Sequence, residues 1–114
     1  MVDLLEEILN SNERIRMVVS LNTPMGESER VSREDLDSIE LDDDWNFLNI
    51  TATAMITMFQ KYNEKFGELI MSGACMEKVN FFFFRKNEKI ILVSTDPGPI
   101  SEILEDIQKF IENK

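Results

Sequence analysis

Apolar positions recur along this chain with two different periods, and the switches between them mark out its elements. Leu4, Leu5, Ile8 and Leu9 fall at helical spacing. Asp3 and Glu6, three apart, resemble a capping box with Asp in place of Ser or Thr. Together they predict a short first helix ending near Asn10. From 14 to 21 the period changes to two: Ile15, Met17, Val19 and Leu21 share one face, and Arg14, Arg16, Val18 and Ser20 share the other. That is the pattern of a strand. Asn22-Thr23-Pro24-Met25-Gly26 has the chemistry of a turn and ends it.

Between 27 and 44 the pattern thins to Val31, Leu36, Ile39 and Leu41, which allows a weak edge strand in either half. A second helix is predicted over 45–66, stopped by Gly67. Stepping 100° per residue, its apolar arc takes in Phe47, Leu48, Ile50, Ala52, Ala54, Met55, Ile56, Met58, Phe59 and Tyr62. The arc covers about two-thirds of the circumference, far more than the ~100° stripe that contact with one surface explains. The helix is therefore expected to touch two things.

Three strands are predicted next, over 69–76, 79–84 and 90–95. The polar stretch 85–89, centred on Asn87, reads as a hairpin turn, and connections this short require antiparallel pairing. Phe81, Phe82, Phe83 and Phe84, like Ile90, Ile91, Leu92 and Val93, are apolar on both strand faces. Antiparallel strands apolar on both faces imply helices on both sides of the sheet. Asp96-Pro97-Gly98-Pro99 breaks the last strand, and Pro99 suits the first position of a final helix whose stripe is Ile100, Ile103, Leu104, Ile107 and Ile111. This helix, with its narrow stripe, needs only one surface.

Composition narrows the function. The chain has 114 residues, room for one domain. Its net charge of −10 argues against nucleic acid and anionic membrane surfaces, which recruit Lys and Arg. It is compatible with a basic protein partner or with solubility alone. There is no histidine and a single cysteine, Cys75, whose neighbours Ala74 and Met76 make it a packed residue by expectation. That inventory removes Cys/His zinc sites and histidine-based nucleophilic catalysis. No phosphate-binding glycine loop is present. The acid run 40–44 lacks the alternation and central glycine of a calcium loop and reads as solvated. The four phenylalanines read as sheet core more readily than as a pocket wall. No cofactor, metal or catalytic residue is expected. The acidic N-terminus and the lack of a long apolar run fit a cytoplasmic protein.

The order of elements resembles the Roadblock / dynein light chain family. The resemblance rests on the opening Asp3-Leu4-Leu5-Glu6-Glu7-Ile8-Leu9, the strand 15–21, the long helix 47–66, Glu68-Leu69-Ile70-Met71, and Phe81-Phe82-Phe83-Phe84 followed by Lys89-Ile90-Ile91-Leu92-Val93. It departs where the family usually has an apolar second strand and this chain has Met25-Gly26-Glu27-Ser28-Glu29-Arg30.

The resemblance implies an α+β fold over 1–114. One five-stranded antiparallel sheet would have the middle helix on one face and the terminal helices on the other. It also implies a non-enzymatic homodimer that pairs its middle helices and following edge strands and carries a Ras-like small GTPase or another Roadblock-type protein. The residues expected at such a dimer interface are Phe47, Ile50, Ala54 and Met58 on the helix and Leu69, Met71 and Gly73 on the strand. Asp42, Asp43 and Asp44 are the candidate docking point for a basic partner. A small-ligand-sensing domain of longin or profilin type is the alternative.

Overall fold

A computed structural model describes residues 2–22, 29–33, 51, 54–55, 57–86 and 89–112. In chain order these include α1 (Val2–Asn10), β1 (Ile15–Asn22), β2 (Glu29–Ser32), α2 (Asn63–Phe66), β3 (Met71–Cys75), β4 (Asn80–Lys86), β5 (Lys89–Thr95) and α3 (Ser101–Glu112). Helical backbone at Thr51, Ala54, Met55 and 57–60 precedes α2. The strands form one five-stranded sheet, every pair antiparallel, in the order β2-β1-β5-β4-β3. The most apolar strands, β4 and β5, lie inside it, and the short polar β2 forms one edge, as its weak pattern anticipates.

The inner strands β1, β5 and β4 are buried on both faces over most of their length. On one side Leu5 and Ile8 of α1 and Ile103 and Ile107 of α3, all fully buried, pack on Ile15, Val18, Phe82, Phe84, Ile91 and Val93. On the other, Met17, Val19, Phe83, Ile90 and Leu92 are covered by Met55 of the middle helical segment and by Leu69. The phenylalanine run therefore splits: Phe82 and Phe84 face the terminal helices, and Phe83 faces the other side. Each fully buried side chain of this size contributes about 1.5–3 kcal/mol by leaving water.

Three expectations need correction. Asp3 lies within the first turn of α1, not at its cap; there it still favours the positive end of the helix dipole. The clean alternation of β1 does not survive. Ile15 pairs with Thr95 and Met17 with Ser94, so one extra residue bulges out between them and puts Ile15 and Met17 on opposite faces. Arg33 holds this bulge. Its backbone N–H donates to the Arg16 carbonyl at 3.1 Å. Its side-chain Nε donates to the Ile15 carbonyl, and Nη2 donates to the Asn12 carbonyl at 2.7 Å. Finally, the middle helix is not continuous to its end. Lys61 and Tyr62 form a turn whose N–H groups reach back three residues, to Met58 and Phe59. Gly67 does end the helix, with φ +84 and its N–H on the Asn63 carbonyl at 2.9 Å.

Arg14 ties the β5–α3 connection to the sheet. Its guanidinium donates to the carbonyls of Asp96 at 3.2 Å, Pro97 at 3.0 Å and Pro99. Arg16 adds an ion pair to Asp96 at 3.1 Å.

Candidate interaction surface

Met55, Phe59, Tyr62 and Phe66 follow helical spacing and share one stripe. Met55 is half-buried against the sheet. Beyond it the same stripe emerges into solvent: Phe59 is 42% exposed, Tyr62 51% and Phe66 73%. The rings form a ladder, with centroids 6.5 Å apart from Phe59 to Tyr62 and 6.0 Å from Tyr62 to Phe66. Lys65 lies with Nζ 5.5 Å from the Phe66 ring centre, a cation–π distance. Met58 and Ile70, 63% and 67% exposed, widen the patch.

Between this ladder and the segment leading into β3 runs an open groove of about 520 Å³, walled by Phe59, Tyr62, Phe66, Ile70 and Met71. Beside it is β3, the sheet edge opposite β2, so one side of its backbone has no neighbouring strand among the described residues. Gly73, Ala74 and Cys75 are exposed along it. A contiguous apolar patch next to an open strand edge is the combination that soluble proteins avoid unless something covers it.

Charge sets this region apart. Between 45 and 76 the charged residues are Lys61, Glu64, Lys65 and Glu68, two of each sign, in a chain of net charge −10. The first 44 residues carry 13 acids against 4 bases. The stretch that displays the apolar patch is thus free of the excess charge that would repel a second copy.

Among the expected interface residues, Met58 stands in the patch. Ala54 and Gly73 are exposed, the latter on the open edge. Leu69 and Met71 are half-buried and serve mainly the core, Leu69 on the middle-helix side and Met71 on the terminal-helix side. Phe47, Ile50, Asp42, Asp43 and Asp44 lie outside the described residues. Phe59 and Tyr62 belong to the arc read from the sequence; Phe66, Ile70 and Met76 were missed. The spacing 59, 62, 66 carried the signal for Phe66. Cys75 corrects an expectation: it is exposed, because β3 is an edge and no neighbouring strand shields it.

Gly73 has a structural reason to be glycine. A Cβ there would sit 2.5 Å from the Phe81 carbonyl oxygen and 2.6 Å from Phe82 Cδ1. Opposite it, Phe82 uses the vacated space. Among the described residues no group of three or more metal-ligating side chains converges, and no helix is long and apolar enough to cross a membrane.

No family model and no curated protein matches the chain in sequence. Solved structures do match in shape. Gliding protein MglB from Thermus thermophilus superposes with a TM-score of 0.74 at 14% identity, over 97% of this chain and 82% of that one. A Roadblock/LC7 domain from Streptomyces avermitilis does so with a TM-score of 0.66 at 9% identity, over 98% and 92%. A further structure, described as MglB with tetrameric arrangement, gives 0.71 at 13% identity, over 97% and 82%. The fold is that of Roadblock/LC7 domains.

Proposed function

We propose that this Roadblock-fold chain is a non-enzymatic interaction scaffold. Residues 1–114 act as one domain, two copies pair through the middle helix and the β3 edge, and the pair carries a Ras-like small GTPase. The observation behind the pairing is the aromatic stripe that starts in the core at Met55 and ends in water at Phe66. An open strand edge lies beside it, and that stretch of chain carries no net charge. A second copy supplies both missing partners at once, a strand for the edge and an apolar face for the rings. The tetrameric arrangement described for one MglB structure is in keeping with self-association on this fold. The GTPase partner follows from the family resemblance, and the acid run at Asp42, Asp43 and Asp44 is its candidate docking point.

Light scattering at micromolar concentration tests the pairing: twice the chain mass is expected, and a single-copy mass at that concentration defeats it. For the partner, the test is affinity purification followed by nucleotide-dependent binding of any GTPase recovered. Replacing Asp42, Asp43 and Asp44 by Asn should weaken that binding at low salt and leave the fold intact. The phenylalanine run fills the core on both sheet faces, so the ligand-sensing reading gains no support from it.

A further inference from the structure

The described methionines are sorted by accessibility; Met1 and Met25 lie outside the described residues. Met17, inside the sheet core, is 3% exposed. Met58, on the aromatic patch, and Met76, at the end of the β3 edge, are 63% and 58% exposed. Met55 and Met71, close to the same patch, are half-buried. Leucine would fill these surface positions as well, so what methionine adds is chemistry: a soft sulfur that peroxides oxidise wherever they reach it.

We infer that Met58 and Met76 are oxidation sites through which hydroperoxides dissolve the pairing of two copies while leaving the domain folded. The inference rests on the pairing proposed above. A sulfur lone pair of the thioether attacks one peroxide oxygen. The O–O bond breaks, an S–O bond forms, and after a proton shift water leaves from hydrogen peroxide, or the alcohol from an organic hydroperoxide. The sulfur loses two electrons and the peroxide gains them. The sulfoxide is strongly polar, and closing the interface over it would bury that group without a partner. Among the described residues the core offers no comparable target, since Met17 is shielded. Oxidation is therefore directed at the interaction face, and at the separated copies above all, because pairing covers the same sulfurs. A dithiol-dependent sulfoxide reductase reverses the step, returning the thioether with release of water and a disulfide.

The test is to expose the purified chain to graded hydrogen peroxide. Peptide mass spectrometry locates the added oxygens, light scattering reads mass, and far-UV circular dichroism reads fold. Expected is sulfoxide at Met58 and Met76 at peroxide levels that spare Met17. Pairing should weaken by about tenfold or more with the dichroism retained. With Cys75, exposed on the same edge, replaced by Ser in every chain compared, the double variant Met58→Leu/Met76→Leu should stay paired in peroxide. Pairing that persists with both sulfoxides in place overturns the inference. So does equal dissociation of the double variant, or oxidation of Met17 at the same rate. An untreated chain that already runs as one copy removes the pairing itself, a failure read before any peroxide is added.

Discussion

The terminal helices and the middle helix both present apolar stripes to the same sheet, with opposite results. Leu5, Ile8, Ile103 and Ile107 vanish completely beneath α1 and α3, and the exposed positions described on those helices are polar, Glu6, Glu7, Glu105 and Gln108 among them. The stripe of the middle helix is covered at Met55 and bare at Tyr62 and Phe66. A stripe as narrow as its contact leaves nothing over. One that runs past its contact leaves exposed rings, and the pairing proposed above would cover them. Pattern width thus distinguishes a helix that completes a core from one that also displays an interface.

Mutations on the two regions should separate cleanly. Phe84→Ala empties a core position that is 1% exposed and should cost about 3–5 kcal/mol, read as a lower urea midpoint. Phe66→Ser removes a larger exposed area, yet should change the stability of a single copy by less than about 0.5 kcal/mol. Its effect should fall on mass at micromolar concentration, which ought to drop toward one copy. Equal stability losses from both variants would erase the distinction between the regions.

At the boundary between them, Gly73→Ala should destabilise by about 1–3 kcal/mol, because the new methyl meets the Phe81 backbone and the Phe82 ring. Thermal melting reads this directly. A melting temperature equal to that of the parent would mean that β3 is free to shift away from β4. Arg14→Ala, far from the patch, releases three carbonyls of the 96–99 connection and should cost about 1–2 kcal/mol without touching self-association.

Much of this architecture was legible because it depends on local periodicity. The three long strands, the Gly67 stop, the final helix and the demand for helices on both faces of β4 and β5 all follow from spacing alone. The bulge in β1 did not show, since the residues around it alternate without a fault. What creates it is Arg33, just past the end of the neighbouring strand, capping carbonyls that the bulge releases. The exposed position of Cys75 was hidden for a related reason: its small, apolar neighbours look alike on inner and edge strands, and strand order is a property of the whole sheet. The exposed apolar patch was half legible. The width of the helical arc showed that one contact surface would not cover it, but which of its residues leave the sheet depends on where the sheet ends.

The smallest effect among the buried positions should come from Ser94. It pairs with Met17 on one side and Phe81 on the other, so it faces the middle-helix side of the sheet, and it is 1% exposed. Its hydroxyl is the buried side-chain group that finds no hydrogen-bond partner among the described residues. Taking a hydroxyl out of water unpaired costs about 1–3 kcal/mol, and alanine avoids that cost while giving up one small atom's packing. Ser94→Ala should therefore hold stability level or raise it by about 0.5–1 kcal/mol in urea titration. The covered part of the middle-helix face, unlike the patch beyond it, is then limited by one unmet polar group and not by exposed grease. A loss of stability in that variant would mean that the hydroxyl is satisfied after all, and that the covered face is as complete as the one beneath the terminal helices.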